Sequence, residues 1–160
     1  IKLYGVPAEH YGWLFGMNAG GFIVVAQVNA RLLAKRAPGS LLTRTIWVYL
    51  LAGLAVLGIS ALHTEALWPL LVPLFVCISS LGCIIPNASA CAMNGQGAHA
   101  GSASALLGCV QFSVAAAAAG LVSALHDGSA LPMALVITLC GAAAVTAAML
   151  TRRLQLRPNV

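Results

Sequence analysis

The stretch that decides the fold is residues 67–92, LWPLLVPLFVCISSLGCIIPNASACA, which runs 26 residues without an Asp, Glu, Lys or Arg. At 1.5 Å per residue a helix of this length reaches about 39 Å, more than the roughly 30 Å of a bilayer's hydrocarbon core. An isolated strand would leave its backbone polar groups unpaired in lipid, so the segment must be helical. Pro73 and Pro86 lie within it, and each removes one helix hydrogen bond and favours a bend or a change of tilt. It is the longest of five apolar runs. The others are expected near residues 11–30, 45–62, 102–125 and 132–151.

Composition agrees with these runs. Hydrophobic residues make up 61% of the chain and charged residues only 7%, against about a quarter charged in a soluble domain. Such a chain cannot cover itself with a water-compatible surface, so the expected fold is all-α integral membrane with five crossings. Residues 1–10 are expected to be extracytoplasmic, residues 11–151 the five-helix region, and residues 152–160 a cytoplasmic tail. The breaks read as turns: Ala37-Pro38-Gly39-Ser40, Asn94-Gly95-Gln96-Gly97 and Asp127-Gly128-Ser129. None is long enough for a folded extramembrane domain.

The net charge of +5 does not point to nucleic acid. Its basic residues sit at the ends of apolar runs rather than in a stripe interleaved with aromatics. Arg31, Lys35, Arg36 and Arg44 follow the first run, and Arg152, Arg153 and Arg157 follow the fifth. With five crossings these seven of the eight basic residues share one face, while Lys2, Glu9, Glu65 and Asp127 take the other. That is a positive-inside pattern. It predicts an extracytoplasmic N-terminus and a cytoplasmic C-terminus in the cell (inner) membrane. The chain begins at Ile1, with no signal peptide visible, and an odd number of crossings from outside leads us to expect at least one earlier helix.

Polar side chains inside the runs are costly unless they face protein or a wet cavity. Asn18, Gln27 and Asn29 fall in the first run, Asn87 in the third and Gln111 in the fourth, whereas the second and fifth carry only hydroxyls. Helices one, three and four are therefore expected to be interior, and two and five peripheral. By helical phase Asn18, Phe22, Val25 and Asn29 share a face, as do Cys83, Asn87 and Cys91, and Ser104, Gly108 and Gln111. Asn18, Asn87, Gln111 and Ser104 are the candidates for a solute path. The competing reading is interhelical hydrogen bonding that merely holds the bundle together. Gly12, Gly16 and Gly20 repeat every four residues; with Pro86 and Gly108 they are candidates for close helix packing or hinging.

No Asp, Glu, Lys or Arg lies at the centre of a run, and His10, His63, His99 and His126 fall at run ends or in loops. The five cysteines lie in apolar runs without a CxxC pair and read as small hydrophobes rather than a metal site or disulfide frame. No HExxH, GxSxG or P-loop string is present. The expectation is neither an enzyme nor a protein with a cofactor or metal.

Three strings carry a family resemblance: Tyr11-Gly12-Trp13-Leu14-Phe15-Gly16-Met17-Asn18-Ala19, Ile85-Pro86-Asn87-Ala88, and Ala100-Gly101-Ser102-Ala103-Ser104-Ala105-Leu106 with Gly108 and Gln111. They resemble the C-terminal half of the Bcr/CflA drug-resistance transporters of the major facilitator superfamily. The resemblance covers nearly the whole chain and implies helices 8–12 of a twelve-helix fold. It implies multidrug efflux by drug:proton antiport, with the drug-like substrate and protons handled together with an N-terminal half. Asn18, Pro86, Asn87, Ser102, Ser104, Gly108 and Gln111 carry over as motif positions. The basic loop Arg31–Arg44 resembles the second, degenerate copy of the superfamily's cytoplasmic loop motif and lacks its acidic member. Repeat-built transporters bind substrate between their repeats, so this chain alone is expected to be inactive. The alternative is a membrane scaffold or interaction subunit with no transport of its own.

Overall fold

A computed structural model of the chain describes residues 8–62 and 67–155. It contains five α-helices: α1 Ala8–Leu33, α2 Pro38–Ala61, α3 Trp68–Met93, α4 Ala100–Ala124 and α5 Leu131–Gln155. A 3-10 turn, Gly97–His99, leads into α4, and no strand occurs among the described residues. Helices α2, α3 and α4, with residues Leu131–Thr151 of α5, are each long and apolar enough to cross a membrane. Helix α1 is 26 residues long, so length does not set it apart from those four. It differs in carrying Asn18, Gln27 and Asn29. The chain is an all-α membrane protein.

One expected turn falls elsewhere. The backbone reverses at residues 34–37, and Pro38-Gly39-Ser40 opens α2. Proline suits a first helical position because its fixed φ is already helical and its missing N–H would have had no partner. Ser40 completes the start by donating from both its N–H and its hydroxyl to the Ala37 carbonyl, at 3.1 and 2.8 Å. The other two turns lie where the sequence puts them. Gly95 and Gly128 both take φ of 81°, a left-handed conformation that glycine adopts without steric cost. In the second turn the Asp127 carboxylate accepts from the Ser129 N–H at 2.8 Å and its hydroxyl at 2.6 Å. These bonds hold the Asp127 carboxyl below its ordinary value of 3.8. Ser129 Oγ in turn accepts from the Leu131 N–H at 3.2 Å, which caps the start of α5.

Helix α3 is the axis of the packing, with α1 on one side and α2 on the other, and α5 packs against the far side of α2. Small residues set these approaches. A Cβ at Gly82 would collide with the Phe22 carbonyl oxygen and lie 3.0 Å from the Ala26 nitrogen, and one at Gly21 would collide with Ser79. Between α2 and α5, a Cβ at Gly53 would sit 3.5 Å from Thr138 Cα, and one at Gly141 3.3 Å from Leu50 Cα. Thr138 Oγ1 clamps that interface, lying 2.9 Å from the Gly53 carbonyl oxygen and 2.8 Å from that of Ala134. Ala52, Val56, Leu70, Cys77 and Ala134 form the buried core, with Val56 and Ala134 fully enclosed.

This distribution reverses part of the sequence expectation. Helix α4, expected to be interior, has no buried residue and touches α3 and α5 only sparingly. Helix α2, expected to be peripheral, packs against two neighbours. Amides mark faces that require polar partners, whereas glycine, alanine and hydroxyl residues decide which helices can approach closely. Glycine sets the α1–α3 and α2–α5 approaches, but small residues alone do not secure packing, since α4 is rich in glycine and alanine and stays open.

The ends of the bundle follow from two contacts. Gly39 lies at the start of α2, and a Cβ there would be 3.9 Å from Cys91 Sγ near the end of α3. Thr43, Ile46 and Trp47 of α2 line a small cleft with Val145, Ala148 and Met149 of α5. The basic connection between α1 and α2 therefore lies at the same end of the bundle as the close of α3 and of α5. Lys2, His63, Glu65 and Arg157 lie outside the described residues, as do the side chains of Glu9, His10, Arg152 and Arg153.

Candidate functional site

The most concentrated polar chemistry lies where α1, α2 and α3 meet. Asn87 of α3 is fully buried and Asn29 of α1 is 3% exposed. Asn87 Nδ2 donates to Asn29 Oδ1 and to the Cys83 carbonyl, both at 2.7 Å, and lies 3.2 Å from Cys83 Sγ. The two carbonyl acceptors fix which end of the Asn87 amide faces them. The Cys83 thiol donates to Asn29 Oδ1 at 3.2 Å. Thr45 of α2 completes the junction, its Oγ1 3.1 Å from Cys83 Sγ and 2.9 Å from the Leu41 carbonyl oxygen. Asn87 Oδ1 is buried without a partner among the described residues.

The junction forms because each helix presents one short polar residue at the crossing. Cys83 and Asn87 stand four residues apart on one face of α3. Asn29 lies on the α1 stripe with Phe22 and Val25, and Phe22 is the residue against which Gly82 closes. Beside the junction runs a crevice of about 370 Å³ between α1 and α2 over α3, walled by Val28, Leu32, Leu41, Val48, Phe75 and Val76. A second cavity of about 470 Å³ separates the end of α3 from the first half of α4, with Gln96, His99, Ser102 and Leu106 on its walls. A third, apolar groove of about 570 Å³ lies between α2 and the Pro69–Val76 part of α3.

The four solute-path candidates are not gathered at one place. Asn87 belongs to the junction. Asn18 is half-buried, donates from Nδ2 to the Leu14 carbonyl at 2.9 Å, and leaves Oδ1 buried without a partner among the described residues. Gln111 and Ser104 are exposed on α4, where Ser104 Oγ donates to the Gly101 carbonyl at 2.9 Å. Gly12, Gly16, Gly20 and Gly108 have nothing within 4 Å of an added Cβ, so none of them closes a tight interhelix approach among the described residues. Pro86 is exposed within a continuous α3. Arg31, Lys35, Arg36 and Arg44 are all exposed. No group of three His, Cys, Asp or Glu able to hold a metal occurs among the described residues.

Sequence reasoning left Asn29, Thr45 and Cys83 out of the candidate set. The shared face of Cys83 and Asn87 was the available signal. Treating Cys83 as only a small hydrophobe hid its role as the atom on which three helices converge.

Two curated relatives align with this chain. A bicyclomycin resistance protein homolog of Haemophilus influenzae is 29% identical over 140 residues, covering 88% of this chain and 35% of the relative. An uncharacterized MFS-type transporter, YdgK of Bacillus subtilis, is 28% identical over 131 residues, covering 82% of this chain and 32% of the relative. The chain resembles major facilitator transporters. Both relatives agree with the family resemblance read from the sequence. The chain spans about a third of the length of either relative. No family model matches the chain, and no solved structure matches it significantly.

Proposed function

We propose that the chain is the C-terminal part of a proton-coupled multidrug efflux transporter of the cell (inner) membrane, working by drug:proton antiport and inactive by itself. The observation that carries this reading is α4. It is 25 residues long and apolar enough to cross a membrane, yet none of its residues is buried. Its Ser104 and Gln111 lie exposed, costly in lipid, and so call for a polar partner or a wet cavity that these five helices do not supply. The open ridge Gly12–Gly16–Gly20 of α1 is a second face without a partner among the described residues. Relatives about three times as long would supply the rest of such a cavity, since repeat-built carriers bind substrate between repeats.

In this reading Gln111, Ser104 and Asn18 border the substrate path, while Asn87 and Asn29 hold α3 against α1. The N-terminus faces outward, and the basic ends of α1, α2 and α5 face the cytoplasm. The decisive test is drug efflux from cells expressing the chain together with the N-terminal part of such a carrier. Gln111→Leu is expected to lower efflux at least tenfold with membrane abundance unchanged. Full efflux by Q111L would remove this residue from the path, and efflux by the chain alone would refute its dependence on a second half.

The scaffold reading has one observation in its favour. The densest polar network, Asn29–Cys83–Asn87, is wholly buried between helices and does packing rather than transport. Co-purification with an intact transporter, with no efflux in any combination, would favour that reading.

A further inference from the structure

We propose that the crevice between α1 and α2 is a binding site for one anionic phospholipid, its headgroup held by the basic connection and one acyl chain lying in the crevice. This requires only that the helices sit in a membrane and does not depend on the transport reading.

The walls of the crevice suit a hydrocarbon chain. Val28 and Leu32 of α1, Leu41 and Val48 of α2, and Phe75 and Val76 of α3 enclose about 370 Å³, within the usual range for small-ligand sites. Along α1 it runs from Leu32 inward to Val25, a depth of about 10 Å at the helical rise. It therefore starts at the loop end of the bundle and points towards the membrane interior.

The rim carries the charge. Helical phase places Arg31 one turn after Val28 and Arg44 one turn from both Leu41 and Val48, and Lys35, in the turn just past α1, donates its N–H to the Leu32 carbonyl at 3.0 Å. All three cations, with Arg36 between them in the connection, are exposed. Among the described side chains no carboxylate is placed to neutralise them. Of the three Asp and Glu residues in the sequence, Asp127 lies in the turn between α4 and α5, at the opposite end, while Glu9 and Glu65 stand a helix length away in sequence from the nearest of these cations. Four uncompensated cations at the mouth of an apolar slot, at the level where helices leave the hydrocarbon, match a phosphate joined to an acyl chain. Charge complementarity favours this occupant over a zwitterionic lipid.

The test is native mass spectrometry of the full chain released from nanodiscs of equimolar phosphatidylglycerol and phosphatidylcholine with identical acyl chains. One phosphatidylglycerol per chain is expected to be retained in preference to phosphatidylcholine. Arg31→Gln with Arg44→Gln is expected to weaken that retention about fivefold for each charge removed. Val28→Trp and, separately, Val48→Trp keep every charge and fill the slot; each is expected to abolish the preference while helical circular dichroism stays unchanged. Equal retention of the two lipids by the unaltered chain would overturn the proposal. So would undiminished retention in both folded tryptophan variants, which would leave only a general surface attraction. Displacement of the lipid by millimolar inorganic phosphate would likewise overturn it, by showing a free-anion site with no role for the slot.

Discussion

Asn87 of α3 and Asn29 of α1 share a 2.7 Å hydrogen bond in the interior of the bundle, and the Cys83 thiol points at the same Asn29 oxygen from 3.2 Å. One amide oxygen thus ties two helices that otherwise meet through Gly21 against Phe75 and Ser79 and Gly82 against the Phe22 backbone. Hydrogen bonds of this kind between membrane helices contribute about 0.6–2 kcal/mol each. Leaving one partner unpaired costs about 1–3 kcal/mol.

Replacing either asparagine by leucine is therefore expected to destabilise the chain by about 1–3 kcal/mol. The double variant Asn29→Leu/Asn87→Leu should cost less than the sum of the two, because neither amide is then left alone. A double-mutant cycle in detergent-titrated unfolding measures the difference, expected to be about 0.5–2 kcal/mol. Strict additivity would show that the bond does not hold α1 to α3.

Glycine substitutions should separate two kinds of position. Gly82→Ala forces its new methyl into the Phe22 carbonyl and is expected to cost about 1–3 kcal/mol, as overpacking generally does. Gly16→Ala meets nothing within 4 Å, and in this chain should change stability by no more than about 0.5 kcal/mol. The same unfolding titration reads both. In a full-length carrier, a loss of efflux by G16A would mark that ridge as the seat of another helix.

Thiol chemistry gives an independent check on the packing. Cys77 and Cys83 are buried, whereas Cys91, Cys109 and Cys140 are exposed. In mild detergent, N-ethylmaleimide followed by peptide mass spectrometry is expected to modify the last three at least tenfold faster. Fast modification of Cys83 would contradict the closed α1–α2–α3 junction.

The turn before α5 should respond to acid. Its Asp127 carboxyl is held below its ordinary value by the Ser129 hydroxyl and N–H, so the charged form is the one the turn favours. The stabilisation is present above pH 3.8, the group's ordinary value, and is lost as pH falls through the lowered one. Nuclear magnetic resonance of the Ser129 amide is expected to show one transition beginning below pH 3.8. Asp127→Ala should remove that transition and loosen the first turn of α5. A Ser129 amide unresponsive to acid would rule out the cap.

The fold was legible because lipid imposes few alternatives. A 26-residue uncharged run such as 67–92 admits only a helix, and the glycine turns at Gly95 and Gly128 announce where the chain reverses. Pro38 misled because one dipeptide, Pro-Gly, serves both a turn and a helix start, and the choice depends on whether the Ala37 carbonyl goes on to accept from the Leu41 N–H, as it does at 3.4 Å. The packing order was harder to read. Gly53, Gly82 and Gly141 set the helix approaches, yet each looks in sequence like any other small residue. The candidate site was legible only in part. Asn87 was visible as an amide in hydrocarbon, but its partner depended on which turn of α1 faces α3, a quantity fixed by Gly21 and Phe22 against Ser79 and Gly82. Gln111 and Ser104 are exposed on α4 and bond to no other helix among the described residues.

The loose attachment of α4 has a consequence for biosynthesis. A segment that gains almost nothing from its neighbours must commit to the bilayer on its own apolarity as it leaves the ribosome, and Leu106, Leu107, Val110, Phe112, Val114 and Leu121 supply it. Under the proposed reading, the steady-state amount of this polypeptide in a cell is expected to track the supply of the N-terminal part that would cover α4.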